Sequence, residues 1–392
     1  MLTDIQRYAR NTQMADIQPF IIDIPATDIT ELQNRLNATR WPDPETPDDW
    51  SQGVPLQYAQ EFCRYWGEEY DWSARQEQLN RFDHFTTVID DLPIHFIHAK
   101  SAEPGAMPLI ITHGWPGSVV EFHKVIEPLT NPVAHGGDAK DAFHVVCPSL
   151  PGFGFSGKPT KPGTSVGQIA AMWDELMIRL GHDAYFAQGG DWGSAITTEI
   201  GLQNLGHCKG IHLNMPNARP TKEARENPTD RDKLAMARGH AYNDEDSGYS
   251  KQQSTRPQTL GYGLADSPSG QGMWILEKFW RWTDCDGHPE NVLTRDELID
   301  NIMLYWLNNT GASSGRLYWE SFGAFGGDEK IEVPTGCSIF PKEIVPTPRS
   351  WAEQRFGNIV YWNELDKGGH FAAFEQPDLF VNELRNCFGP MR

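Results

Sequence analysis

The sequence predicts an α/β fold, a mostly parallel sheet covered by helices on both faces, with a helical insertion and a helical N-terminal extension. Two observations carry this. From Leu109 onward, short apolar runs of strand length alternate with helical patterns, the order that builds parallel sheets. About a hundred residues, Met215 to Tyr318, then break the alternation with polar loops and aromatic helical stretches.

Residues 1–80 read as helices and loops that pack on the main body. Asp28-Ile29-Thr30-Glu31 has the form of a capping box, and Ile29, Leu32 and Leu36 recur at helical spacing. A second helix is expected from Gln57 to Tyr70, carrying Tyr58, Phe62, Tyr65 and Trp66. The first part of the core, 81–215, opens with Phe85-Thr86-Thr87-Val88-Ile89 and Ile94-His95-Phe96-Ile97-His98. These flank Asp90-Asp91-Leu92-Pro93, which predicts an antiparallel hairpin.

Strands follow at Leu109–Ile111, Phe143–Val146, Tyr185–Ala187 and Gly210–Leu213, with helices from Val166 to Leu180, closed by Gly181, and from Ser194 to Leu205, closed by Gly206. In the insertion, 216–318, helices are expected at Gly272 to Trp282 and after the capping box Thr294-Arg295-Asp296-Glu297. Placed over the carboxyl ends of the strands, where ligands of open α/β sheets bind, the insertion reads as a lid. Strands at Ser338–Phe340 and Ile359–Trp362 complete the core in 319–392.

A net charge of −20 disfavours nucleic acid or an anionic membrane as partner. Six scattered cysteines without C-x-x-C pairs point to free thiols in a reducing cytosol, hence a cytoplasmic protein. Met1-Leu2-Thr3-Asp4-Ile5-Gln6-Arg7 does not open a leader peptide, and no apolar stretch reaches spanning length, so no membrane anchor is expected. The oligomeric state, a homodimer included, is open.

The chemistry centres on Gly189-Gly190-Asp191-Trp192-Gly193, which follows the apolar run Tyr185-Phe186-Ala187. Small residues bracket an aspartate where a buried strand should turn into a helix, the shape of a nucleophile elbow. Such a sharp turn strains its apex residue and brings neighbouring chains too close for side chains beside it. The helix N-terminus favours an anion and keeps Asp191 ionised. Serine at this position attacks acyl carbonyls, whereas a carboxylate suits attack on saturated carbon and leaves an alkyl ester. The expected substrate is an epoxide or alkyl halide.

Release of that ester needs a base and a group to orient it. In sheets of this design the order is nucleophile, acid, histidine. His370, in Lys367-Gly368-Gly369-His370-Phe371, follows the last strand candidate, and Glu343 follows the preceding one, with Glu364 and Asp366 as alternatives to Glu343. The oxyanion formed on hydrolysis requires donors, for which the N–H groups of Trp192 and Trp115 are the candidates. Trp115 belongs to the turn His113-Gly114-Trp115-Pro116-Gly117-Ser118, whose His113, Gly114 and Pro116 are expected to border the substrate.

Two patterns are decoys. Gly152-Phe153-Gly154-Phe155-Ser156-Gly157 spells G-x-G-x-x-G, but Lys158-Pro159 and Lys161-Pro162-Gly163 stand where a nucleotide-binding helix should open. Asp284-Cys285-Asp286-Gly287 begins like a calcium loop without the spacing that follows. Neither a cofactor nor a metal is expected.

Together these segments resemble the microsomal-type epoxide hydrolases, an α/β-hydrolase family with an N-terminal extension. The resemblance runs from about Pro19 to Gln376 and includes Thr39-Arg40-Trp41-Pro42, Tyr70-Asp71-Trp72, the 113–118 turn, Gly189 to Ser194, Phe340-Pro341-Lys342-Glu343 and Gly368 to Glu375. It implies Glu343 as the acid and two tyrosines that hold and protonate the epoxide oxygen, at Tyr249, ahead of Gln253-Ser254-Thr255-Arg256-Pro257, and at Tyr318 in Arg316-Leu317-Tyr318. It further implies a small apolar epoxide and water as substrates and a vicinal diol as product. The membrane-anchored members begin with an apolar helix that this sequence lacks, so a microsomal location is not carried over. The alternative is a haloalkane or haloacid dehalogenase with the same Asp and His. Trp274, Phe279, Trp280, Tyr305, Trp306 and Trp319 suggest an apolar pocket beneath the lid.

Overall fold

The computed structural model describes residues 17–392. The expectation for Met1–Arg7 falls outside the described residues. Nine strands form one sheet among them: β1 Gln18–Phe20, β2 His84–Ile89, β3 Leu92–Ala99, β4 Met107–Thr112, β5 Phe143–Pro148, β6 Tyr185–Gly189, β7 Cys208–Leu213, β8 Thr335–Ile339 and β9 Ile359–Glu364. Their order is β1-β2-β3-β5-β4-β6-β7-β8-β9. The pairs from β5 to β9 are parallel; β1, β2 and β3 add antiparallel.

The hairpin forms as the sequence predicts, through a two-residue turn. Asp90 and Asp91 both take left-handed φ, 52° and 62°, which matches the twist of the flanking strands. The extension is not purely helical: Gln18–Phe20 pairs with Phe85 and its neighbours as an edge strand. Three residues carry no period of their own, so only pairing with β2 makes them a strand.

Opposite faces of β7 meet different helices, as the pleat requires. Ile211 lies toward Gly201 of the helix Asp191–Gln203, whereas His212 lies toward Phe388 of the helix Pro377–Phe388. The helix Val166–Arg179 ends as read. Gly181 takes φ +83°, and the His182 and Gly181 amides donate back to Met177 and Ile178 carbonyls.

Several boundaries differ from the sequence reading, the helix at Pro268–Trp282 and the strand at Thr335–Ile339 each starting earlier than expected. The first helix starts at Ala26, directly after Pro25, so Asp28 falls in its first turn and caps nothing. The helix expected from Ser194 begins at Asp191 itself, because the elbow passes from strand to helix without a spacer. It ends at Gln203, where Asn204 takes φ 42°, before Gly206 is reached. A helix not anticipated, Trp72–Leu79, is capped by Asp71, whose side chain accepts from the Ala74 amide. In the insertion the capping box at Thr294 forms with both hydrogen bonds in place, and the last inserted helix runs Gly311–Ser321.

Gly152 and Gly154 of the dinucleotide-like pattern both take positive φ in tight turns, and no helix opens before Val166. All six cysteines are buried free thiols. No helix among the described residues is long and apolar enough to cross a membrane.

Candidate active site

Asp191 stands at φ +50°, strained backbone for a residue with a side chain. The glycines around it are required by approach distance. A Cβ on Gly189 would lie 2.0 Å from the Gly193 carbonyl oxygen, and one on Gly193 would lie 1.9 Å from that of Thr112. The elbow therefore packs directly on β4, and the turn after β4 reaches the carboxylate. Trp115 N–H donates to Asp191 Oδ1 at 2.7 Å. Trp192 N–H is among the leading amides of the helix, which have no partner within it.

His370 and Glu343 come from the loops after β9 and β8. The Lys342 amide donates to the Gly368 carbonyl at 3.0 Å and binds those loops together. His370 Nδ1 lies 2.6 Å from Glu343 Oε1, which also accepts from the Ile344 amide at 2.6 Å. The His370 amide donates to the Trp282 carbonyl at 2.8 Å, tying the base to the end of an inserted helix. Nε2 lies 3.3 Å from Asp191 Oδ2 without hydrogen-bond alignment. Glu364, the sequence alternative, is paired with Arg231 instead.

Burial alone would depress the His370 imidazole. The Glu343 carboxylate beside it, and Asp191 opposite, outweigh burial and hold it well above the usual histidine range. The imidazolium is thus favoured while both carboxylates are charged.

Aromatic rings close over this group. Tyr249, in the helix Gly248–Thr255, stacks on Trp115 with centroids 4.8 Å apart. Tyr318, in Gly311–Ser321, stands edge-on to Trp192 at 4.7 Å, and the two tyrosine rings are 5.8 Å apart. Burial first, then the nearby phenols and Asp191, push both tyrosines well above the ordinary phenol value, so both stay protonated donors.

Residues 17–122 match the family described as "Epoxide hydrolase N terminus", and residues 107–249 match that described as "alpha/beta hydrolase fold". A Stigmatella aurantiaca protein provisionally named an epoxide hydrolase is 52% identical, covering 96% of this chain and 86% of its own. Epoxide hydrolase 1 of Sus scrofa is 36% identical, covering 95% of this chain and 88% of its own. The solved structure of Aspergillus niger epoxide hydrolase superposes with a TM-score of 0.87 at 30% identity, over 98% of this chain and 100% of that one. The chain belongs to the epoxide hydrolase family. Its fold is that of the α/β hydrolases.

Within this epoxide hydrolase, one residue at the site escaped the sequence reading. Glu121 is buried, with Oε1 unpartnered, at a cavity of about 20 Å³ bordered also by Gly114, Trp115, Asp191, Gln188 and His370. That is room for one water molecule. Gly117 makes the space for it, since a Cβ there would sit 1.4 Å from Glu121 Oε1. Burial pushes the Glu121 carboxyl up to about 8, with His370 opposing and Asp191 adding to the rise, so it is neutral at pH 7. The available signal was a carboxylate inside the apolar run Val119-Val120-Glu121-Phe122.

Of the turn residues expected to border the substrate, His113 and Gly114 also border this small cavity. His113 Nε2 accepts from the Leu150 amide and Nδ1 lies 2.9 Å from the Gly114 carbonyl, leaving no nitrogen free for a ligand. A Cβ on Gly114 would sit 2.1 Å from Asp191 Oδ1, so this backbone presses on the carboxylate. The Pro116 carbonyl is taken by Asn301 Nδ2 at 2.8 Å. The aromatics expected beneath the lid do not gather around Asp191. Phe279 stacks on Phe371, Tyr305 donates to the Gly117 carbonyl, Trp280 stacks on Trp50, and Trp319 is exposed. Trp115, Trp192, Trp282 and the tyrosines enclose it instead.

Among the described residues no cluster of three or more His, Cys, Asp or Glu side chains forms a metal site. A cleft of about 1330 Å³ runs between residues 39–56 and the inserted helices, bordered by Trp41, Trp50, Met273 and Trp274, and reaches Tyr249.

Proposed function

We propose that this enzyme hydrolyses an apolar epoxide to a vicinal diol through a covalent ester on Asp191. The observation that carries the reading is one carboxylate at a strained elbow facing an imidazole at 3.3 Å on one side and two buried phenols on the other. A carboxylate nucleophile needs an acid for the leaving alkoxide, and the phenols supply it at neutral pH.

In the first half-reaction an Asp191 oxygen attacks an epoxide carbon as the C–O bond breaks, and Tyr249 or Tyr318 gives its proton to the alkoxide. Esterification removes the negative charge of Asp191. The upward push on His370 weakens at that moment, so the imidazolium gives its proton to solvent and stands as a base. Water in the small cavity, held between His370 Nε2 and the Glu121 carboxyl, then attacks the ester carbonyl carbon. The Trp115 and Trp192 amides hold the oxyanion, and collapse releases the diol. The inserted helices act as the lid, with the cleft past Trp41 and Trp274 as the route to Tyr249. Buried free thiols support a cytoplasmic enzyme. The paired phenols favour this chemistry over a dehalogenase, which needs halide donors.

A single turnover with excess enzyme and styrene oxide in water labelled with heavy oxygen tests the route. Unlabelled diol with label in the Asp191 peptide is the expected result; labelled diol means direct attack by water and overturns it. Glu121→Ala should slow ester hydrolysis about tenfold or more while leaving alkylation near wild type. Equal rates for both steps in that variant, by stopped-flow tryptophan fluorescence, would remove Glu121 from the scheme.

A further inference from the structure

A third tyrosine touches the site. After the helix Asp230–Ala241 the chain makes a π-turn, Tyr242–Asp246, a geometry that recurs at functional sites. The turn is locked from behind. Asp246 accepts from Lys278 Nζ at 2.5 Å and from Trp282 Nε1 at 2.6 Å, and the Lys278 ammonium lies 4.6 Å over the Tyr249 ring. This brings Tyr242 Oη to 3.0 Å from Tyr249 Oη and 3.3 Å from Ser250 Oγ. Ser250 donates its own proton to the Ser247 carbonyl at 2.8 Å, so it can only accept from Tyr242.

One hydroxyl proton on Tyr242 therefore has two acceptors at similar distance. While Tyr249 has nothing else to bond, it donates to Tyr242 and Tyr242 donates to Ser250, a chain pointing away from Asp191. When an epoxide oxygen takes the Tyr249 proton, the Tyr242 hydroxyl has only to rotate to donate to Tyr249.

We propose that Tyr242 is the proton reservoir behind Tyr249, a positioning residue that acts on the epoxide only through that phenol. The inference rests on the epoxide hydrolase reading above. The protons balance. Asp191 bonds to carbon as the epoxide C–O bond breaks, the Tyr249 proton moves to the alkoxide, and the Tyr242 proton moves to Tyr249. The phenolate is left on Tyr242, and the proton released when water cleaves the ester restores it.

Two observations favour charge at that end. Tyr242 is half-buried and in reach of solvent, whereas Tyr249 is buried. Burial raises both phenols, but the hydrogen bond donated by Tyr249 opposes the rise at Tyr242 only. The other groups acting on Tyr242 are Asp191, Asp246 and Tyr318, with Lys278 over its partner ring.

The test is Tyr242→Phe in single turnovers with styrene oxide across pH, following formation and hydrolysis of the Asp191 ester separately. Alkylation should fall about tenfold with ester hydrolysis unchanged. Its alkaline limb, set in wild type by the most acidic phenol of the cluster, should move up by about one pH unit. Ser250→Ala keeps all three phenols but removes the acceptor of the Tyr242 proton, and should move the limb the opposite way by less. Wild-type alkylation in Tyr242→Phe, or slower alkylation with an unmoved limb, overturns the relay, the latter showing a packing role alone. Wild-type enzyme that forms no Asp191 ester sinks the parent reading as well, whereas a wild-type ester with an indifferent variant sinks only the relay.

Discussion

Replacing His370 with glutamine should leave an enzyme that opens one epoxide per active site and then stops. The first step uses the Asp191 carboxylate and the phenols, none of which depends on the imidazole for its proton. The second step has no other base within reach of the small cavity, because Glu121 is neutral at pH 7 and Glu343 reaches the ester only through His370. Loss of a positioned general base costs about 10²- to 10⁴-fold in the step it serves. Intact-protein mass after brief exposure to styrene oxide should show one added substrate per chain, persisting through a chase. Steady turnover near the wild-type rate, without an adduct, contradicts the covalent route. Glutamine is preferred to alanine because it fills similar space between Glu343 and Asp191.

Acidification should destabilise the protein steeply below pH 6.5. His95, His98, His113, His123 and His212 are all buried. Burial pushes His98, His123 and His212 down to about 3 and His113 to about 4, and His95 lies well below its ordinary range. Each is neutral in the fold but binds a proton in the unfolded chain below about pH 6.5. Their contribution to stability is therefore complete above that value and is lost as pH falls toward the folded values. Each costs about 1.4 kcal/mol per pH unit in that window.

Glu121 and Glu375 work against the trend. Burial raises them to about 8 and about 7, so they bind protons in the fold before the unfolded chain does, and favour folding as pH falls toward 4.5. The buried histidines outweigh these two carboxyls and leave a net loss of stability as pH falls, on the order of a few kcal/mol per pH unit. Two such units remove a large part of the about 5–15 kcal/mol that stabilises a domain. Urea unfolding at a series of pH values should show this fall, and His212→Gln should make it shallower. Constant stability between pH 7 and 5 contradicts the account.

The central sheet was legible because strands buried on both faces must be apolar throughout, as Leu109-Ile110-Ile111 and Tyr185-Phe186-Ala187 are. Asp191 was legible for a related reason. The close approach of the Thr112 and Gly193 carbonyls forbids side chains, so glycine marks the turn in the sequence. What escaped was determined by partners distant in the chain. Nothing in Gln18-Pro19-Phe20 says strand until β2 lies beside it. Glu121 looks misplaced in an apolar run until Gly117 is seen to leave it room. Tyr242 acquires a role only through a π-turn that no apolar period encodes. The choice of Glu343 over Glu364 likewise depends on how the loops after β8 and β9 meet, whereas Glu364 is nearer His370 in sequence.

The extension grips the inserted helices at several points. Tyr58 donates to Glu290, Tyr65 to Asp296 and Tyr70 to Asp300, Arg75 pairs with Asp300, and Arg35 donates to the Asp266 carbonyl. The same segment enters the sheet through β1, so one stretch of chain straps the roof of the site to its floor. A roof so tethered is held to that floor at several points at once. Selectivity among epoxides then follows from what can thread the cleft and seat against both phenols, as a die accepts one gauge of wire.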